Sequence, residues 1–167
     1  PVIFFTAYQA SPLFQERVDL SITEVFNYEK TTNSSVGKRL TYAINSLEII
    51  KENPLIGVGT GDFPVEYQKI NIANKTNTPN STNPHNMYTL ILVQLGLLGL
   101  ISMLSIFYYQ IKLSFNSSNK FIRDAGITLP LLFLVVMFSD SYLLGHYTTL
   151  MFVFFSAFLY QDSEKTY

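Results

Sequence analysis

Met87–Ile111 reads MYTLILVQLGLLGLISMLSIFYYQI, 25 residues without a charged side chain. At about 1.5 Å rise per residue, about 20 apolar residues cover the hydrocarbon core of a bilayer. The stretch therefore predicts a membrane-spanning helix. Asn83-Pro84-His85-Asn86 runs straight into it. His85 is expected where water meets lipid, titratable near neutral pH and stiffened by the proline ahead of it. A group placed there can act on a molecule with one end in lipid and the other in water.

Beyond a polar link at 112–124 the chain is apolar again. Ala125–Tyr160 is interrupted only by Asp140 and His146. As one helix it would reach about 54 Å, more than a membrane needs. Two shorter helices with a turn near Ser139–Gly145 fit better, the turn lying shallow in the interface or in a protein-lined cavity. The link at 112–124 carries Lys112, Lys120 and Arg123, which assigns it to the cytoplasm. Gln9–His85 and the Asp140 turn then share the outer face, and the tail Gln161–Tyr167 returns inside. Tyr8, Tyr88, Tyr108, Tyr109, Tyr142, Tyr147 and Tyr160 lie near the predicted membrane ends as an aromatic belt.

Ahead of His85 the chain is polar. Pro1–Tyr8 is apolar but too short to span, and reads as the end of an upstream membrane helix. The chain is thus expected to be the C-terminal part of a larger protein. Leu13–Tyr28 is predicted helical with Val18, Ile22, Val25 and Phe26 as its apolar side, and Glu29–Ser35 is a polar loop. A second helix is predicted over Val36–Glu52, with Leu40, Ile44, Leu47 and Ile50 at helical spacing, Ser35 as N-cap and Asn53-Pro54 as stop. Leu55–Phe63 (LIGVGTGDF) is a glycine-rich turn. Asp62–Ile72 reads as a short helix and Asn71–Pro84 as a loop. The fold class expected is an all-α polytopic membrane protein of about three transmembrane helices, with a mostly helical outer segment over 9–86 and the membrane helices over 87–167.

The net charge of −1 leaves no footprint for nucleic acid. With no cysteine, disulfides, thiol catalysis and thiolate-bound metals are excluded. Two histidines are too few for a histidine-built metal site, while carboxylate sites stay open.

Few residues remain for chemistry. His85 suits a general base that takes a proton from an attacking hydroxyl, or it is a helix-start histidine satisfying backbone groups. Asn86 either orients the imidazole or caps the helix. Arg39 can clamp phosphate oxygens bidentately, or be a solvated surface arginine, and Lys38 is a weaker candidate of the same kind. Asp140 sits in an apolar run, where a carboxylate usually faces a partner or a cavity. His146, an arginine and the substrate are its candidate partners. His146 itself reads as an interfacial or packing residue. The Gly57–Asp62 turn lacks the Lys-Ser/Thr ending of a phosphate loop, and reads as a tight turn packing the polar segment onto the membrane.

Taken in order, Ser35-Val36-Gly37-Lys38-Arg39-Leu40, Asn53-Pro54-Leu55-Ile56-Gly57-Val58-Gly59-Thr60-Gly61-Asp62-Phe63, Asn83-Pro84-His85-Asn86-Met87-Tyr88 and Gln94-Leu95-Gly96-Leu97-Leu98-Gly99 resemble the C-terminal part of the O-antigen ligase family. Its superfamily also holds O-antigen polymerases and protein O-oligosaccharyltransferases. The resemblance implies a multi-pass bacterial inner-membrane enzyme with a large periplasmic loop. It would move a glycan, with inversion, from undecaprenyl pyrophosphate to an acceptor hydroxyl, the lipid A-core sugar in ligases. No metal or nucleotide cofactor is implied. By position, Arg39 matches the arginine that engages the pyrophosphate and His85 the histidine proposed as base. Lys38, Asn86 and Asp140 join them as candidate substrate-binding residues. A further family arginine falls outside this sequence, so the chain alone is expected to be inactive. A polymerase or protein-glycosylating enzyme, and a non-catalytic membrane subunit or transporter part, are the competing readings.

Overall fold

The computed structural model describes residues 2–76 and 78–160. The expected tail Gln161–Tyr167 lies outside them. The described residues are helical without strands: α1 Val2–Ala10, α2 Pro12–Phe26, α3 Tyr28–Thr31, α4 Ser35–Glu52, α5 Phe63–Ala73, α6 Met87–Phe115, α7 Lys120–Val136, a 3-10 turn Tyr142–Leu144, and α8 His146–Leu159.

Local chemistry sets most boundaries. Ser11 caps α2, its hydroxyl accepting from the Phe14 amide, with Pro12 at the first helical position. α1 folds back on α2 through Phe4 on Phe14 and a 2.6 Å bond from the Tyr8 hydroxyl to Asp19. The N-cap of α4 is Ser34, one residue before the expected Ser35, because the Ser34 hydroxyl accepts from the Gly37 amide at 3.0 Å. Asn53 closes α4 ahead of Pro54, as anticipated.

Two apolar faces differ from the sequence reading. On α2, Ile22, Val25 and Phe26 are exposed, and no residue of that helix is buried. On α4 the buried stripe is Thr41, Tyr42, Asn45, Ser46 and Ile49, while Ile44 and Leu47 point outward. The reason is the partner. α4 packs on α5 and α6, whose Tyr67 and Asn71 present ring and amide groups, so mixed polar side chains make the seam.

The largest departure is in α6. It is the one helix among the described residues long and apolar enough to cross a bilayer. It is not straight. Gly96 has φ +63° and ψ −161°, a backbone open essentially to glycine alone. A straight helix from Met87 to Ser114 would run about 40 Å. Yet Met87 donates its amide to the Met137 carbonyl, and Ser114 packs on Gly126. Along α7, Met137 and Gly126 stand only about 16 Å apart. The excess is taken up at a corner, so Met87–Leu95 and Leu97–Phe115 are two legs. Gly99 lets the corner tighten, since a Cβ there would lie 2.2 Å from that of Leu95. The expected continuous span over Met87–Ile111 is thus corrected to the second leg, which at about 28 Å still nearly crosses a membrane.

The glycine-rich turn explains how the corner survives. Breaking a helix strands its amides and carbonyls. Here Val58 and Gly59 donate to the Val93 and Gln94 carbonyls at 2.8 and 3.0 Å. In return the Leu97 and Leu98 amides donate to the Pro54 and Leu55 carbonyls at 2.9 and 3.2 Å. The turn is spliced into the helix. Gly57 and Gly96 face each other across the splice, each so close to the other strand's backbone that a Cβ would come within 2.5 Å of it.

α7 and α8 form the expected pair of short helices, joined by a turn that includes Asp140. Phe133 and Phe107 both pack on Phe152, and Gln110 donates to Ser156, binding α6, α7 and α8 together.

Candidate functional site

The site forms where the start of α6, the end of α7 and the first turns of α4 meet. Asn83-Pro84 opens it. The Asn83 Oδ1 accepts the His85 amide at 2.9 Å, an Asx turn of the kind Asn-Pro sequences favour. His85 sits at φ +55°, a left-handed conformation uncommon outside glycine and costing about 1–3 kcal/mol. Asn83 also accepts from the Ser141 hydroxyl at 2.6 Å and donates to Asp140 at 3.3 Å. One amide side chain thus fixes the backbone of His85 to the α7–α8 turn.

The imidazole Nδ1 stands 3.3 Å from both carboxylate oxygens of Asp140. An ionised carboxylate only accepts, so Nδ1 carries the proton, which in the neutral ring leaves Nε2 as the acceptor. The Tyr42 ring stacks against the imidazole at 5.8 Å and 28°. Tyr42 is in turn buried against Tyr67. The Asp140 carboxyl is pushed up by partial burial. The Ser141 amide at 2.7 Å, His85 and Asn83 outweigh that, and the net shift is downward.

Arg39 approaches the same turn. Its guanidinium donates to the Ser139 carbonyl at 3.4 Å, next to Asp140, and it has no carboxylate partner among the described residues. Tyr42 lies one helical turn beyond it on the same face. Lys38 makes no side-chain hydrogen bond or ion pair among the described residues, and is half-buried. One cation, Arg39, thus stands beside the histidine–aspartate pair, and Lys38 precedes it on α4.

Asn86, a candidate for substrate binding, for orienting the imidazole or for capping the helix, is placed as the cap. Its Oδ1 caps α6 by accepting from the Thr89 amide and hydroxyl, and its Nδ2 donates to the Phe138 carbonyl at 3.1 Å. Asp140 pairs with His85, which was not among its anticipated partners. His146 starts α8, exposed and apart from the cluster. Sequence reading missed Asn83, Tyr42 and Ser141. The Asn-Pro turn and the Arg39–Tyr42 spacing were signals for the first two. Nothing in the sequence marked Ser141.

The O-antigen ligase family model matches residues 2–104, well over half of the chain. The chain belongs to the O-antigen ligase family. The matched stretch takes in Arg39, both strands of the splice and His85, and ends just past the corner of α6. The family transfers glycans and resides in the inner membrane. No curated protein matches the chain.

Proposed function

We propose that this chain forms the acceptor-activating and leaving-group side of a glycan transfer site at the periplasmic face of the inner membrane. The donor is a glycan on undecaprenyl pyrophosphate. The acceptor is a hydroxyl of the lipid A-core. The acceptor oxygen attacks the anomeric carbon, and the carbon–oxygen bond to pyrophosphate breaks. The hydroxyl proton passes to His85 Nε2. The resulting imidazolium is held by Asp140, which positions the ring and fixes its tautomer. The sugar carbon becomes oxocarbenium-like on the way, as in glycoside cleavage. The departing pyrophosphate gathers negative charge, and Arg39 with Lys38 supplies the cations for it. Attack opposite the leaving group inverts the anomeric centre.

The observation that supports this reading best is His85 Nδ1 at 3.3 Å from Asp140 with the Arg39 guanidinium on the adjoining carbonyl. A base, its orienting carboxylate and a cation without a carboxylate partner among the described residues converge from three elements far apart in sequence. That is what transfer of a sugar from a lipid pyrophosphate needs.

The test is glycan transfer in membranes supplied with an undecaprenyl-pyrophosphate-linked glycan and lipid A-core. His85→Ala is expected to insert normally and lose about 10²–10⁴-fold in rate. Arg39→Ala is expected to weaken use of the donor and leave acceptor dependence unchanged. Full transfer by His85→Ala would discard the role of base. Transfer to a free glycan in place of lipid A-core would move the acceptor assignment to a polymerase.

A further inference from the structure

One buried side chain at the site has no part in the proton and sugar transfers. Tyr42 lies against the His85 imidazole and is 7% exposed. It follows Arg39 by one helical turn, so α4 brings a cation and an aromatic ring to the site on one face. Its hydroxyl makes no hydrogen bond among the described residues. What the site receives from Tyr42 is the ring.

That ring is held from behind. It stacks on the imidazole with centroids 5.8 Å apart and planes 28° from parallel. Tyr67 packs on it in a T at 5.6 Å and 76°. Tyr67 is itself fully buried and stacks at 5.5 Å on Phe63, which is fully buried too. Three rings from α4 and α5 thus back the imidazole, and in a close-packed interior Tyr42 has no room to swing away. Asp140 engages His85 at an edge atom, Nδ1, while Tyr42 covers a face.

When Nε2 takes a proton the imidazole becomes a cation. Asp140 favours that charge, and Arg39 on the neighbouring carbonyl opposes it. An aromatic face within about 6 Å of a cation attracts it through the ring quadrupole, more strongly where water is excluded. An aliphatic side chain of similar volume supplies packing without that attraction.

We infer that Tyr42 is a positioning residue for the transfer: its ring fixes the plane of the His85 imidazole and stabilises the imidazolium formed as the acceptor proton arrives. The inference rests on His85 being the base.

The test separates the ring's charge distribution from its packing. In the membrane transfer assay Tyr42→Leu is expected to lower kcat by at least about 2–5-fold, and Tyr42→Phe to restore most of it, because the face of the ring is kept. A series at position 42 from phenylalanine through its mono-, di- and trifluorinated forms to pentafluorophenylalanine keeps the shape while draining the negative face. Along it kcat is expected to fall stepwise, by about 2–5-fold in all, with KM for the lipid-linked glycan unchanged. A flat series, or one that moves KM and leaves kcat constant, would overturn the inference. So would a Tyr42→Phe variant no faster than Tyr42→Leu. His85→Ala is measured beside them. Transfer at the parent rate by that variant would remove the base assignment itself, whereas an inactive His85→Ala with a flat series would remove only the role of Tyr42.

Discussion

Replacing Gly96 by alanine attacks the corner on which the site's scaffold rests. Alanine is strained at φ +63°, ψ −161°, which costs about 1–3 kcal/mol. Its Cβ would also lie 2.3 Å from the Leu55 carbonyl carbon and 2.5 Å from the Ile56 amide nitrogen. Both are backbone atoms and cannot rotate aside. Relief requires the turn to leave, and with it four backbone hydrogen bonds worth about 1 kcal/mol each net. The expected loss is roughly 5 kcal/mol or more, comparable with the whole stability of a small domain at about 5–15 kcal/mol. Denaturant titration of the detergent-solubilised protein measures it. Gly61→Ala is the control. Gly61 has φ +87° with nothing within 4 Å of an added Cβ, so only strain of about 1 kcal/mol applies. Gly57→Ala opens the same four bonds from the other strand. The double variant should therefore lose less than the sum of the singles, by about 4 kcal/mol, the four bonds being lost only once. A Gly96→Ala loss under about 1 kcal/mol, or additivity with Gly57→Ala, would refute the splice.

Asn86→Ala removes the α6 cap and the tie to Phe138, and should cost about 1–2 kcal/mol in the same titration. Arg39→Lys keeps charge but loses the planar fork, so donor binding measured by KM should recover only part of what Arg39→Ala loses. The Asp140 carboxyl is held below the ordinary carboxylate range, so its contribution to stability is complete above about pH 4 and disappears as pH falls through the lowered value. Unfolding of the parent and of Asp140→Asn compared across pH should show a constant gap above about pH 4 that closes in stronger acid. A gap that widens in acid would contradict the assigned direction.

Much of this architecture is readable from residue pattern. The α4 and α5 limits follow from Asn53-Pro54 and the polar runs, and the α7–α8 break follows from 36 apolar residues being too many for one crossing. The corner in α6 is not readable that way. Hydropathy counts apolar side chains, and a glycine in a helix has the same composition whether it bends the chain or not. Only the partner turn reveals it, because Gly57 and Gly96 make sense as a pair. The buried face of α4 was misplaced for a related reason. Periodicity assumes that apolar means inside, yet α4 packs on tyrosine and asparagine while Ile44 and Leu47 face outward. At the site, His85, Arg39 and Asp140 carry chemical character that sequence displays. That His85 meets Asp140 depends on a tertiary turn 55 residues away, held by Asn83.

The most direct test is a double-mutant cycle on the glycan transfer rate with His85→Ala and Asp140→Asn. Asp140 is assigned to act through His85, so the double variant should be no slower than His85→Ala alone, although Asp140→Asn by itself slows transfer. Losses that multiply, or an Asp140→Asn variant as fast as the parent, would contradict the account.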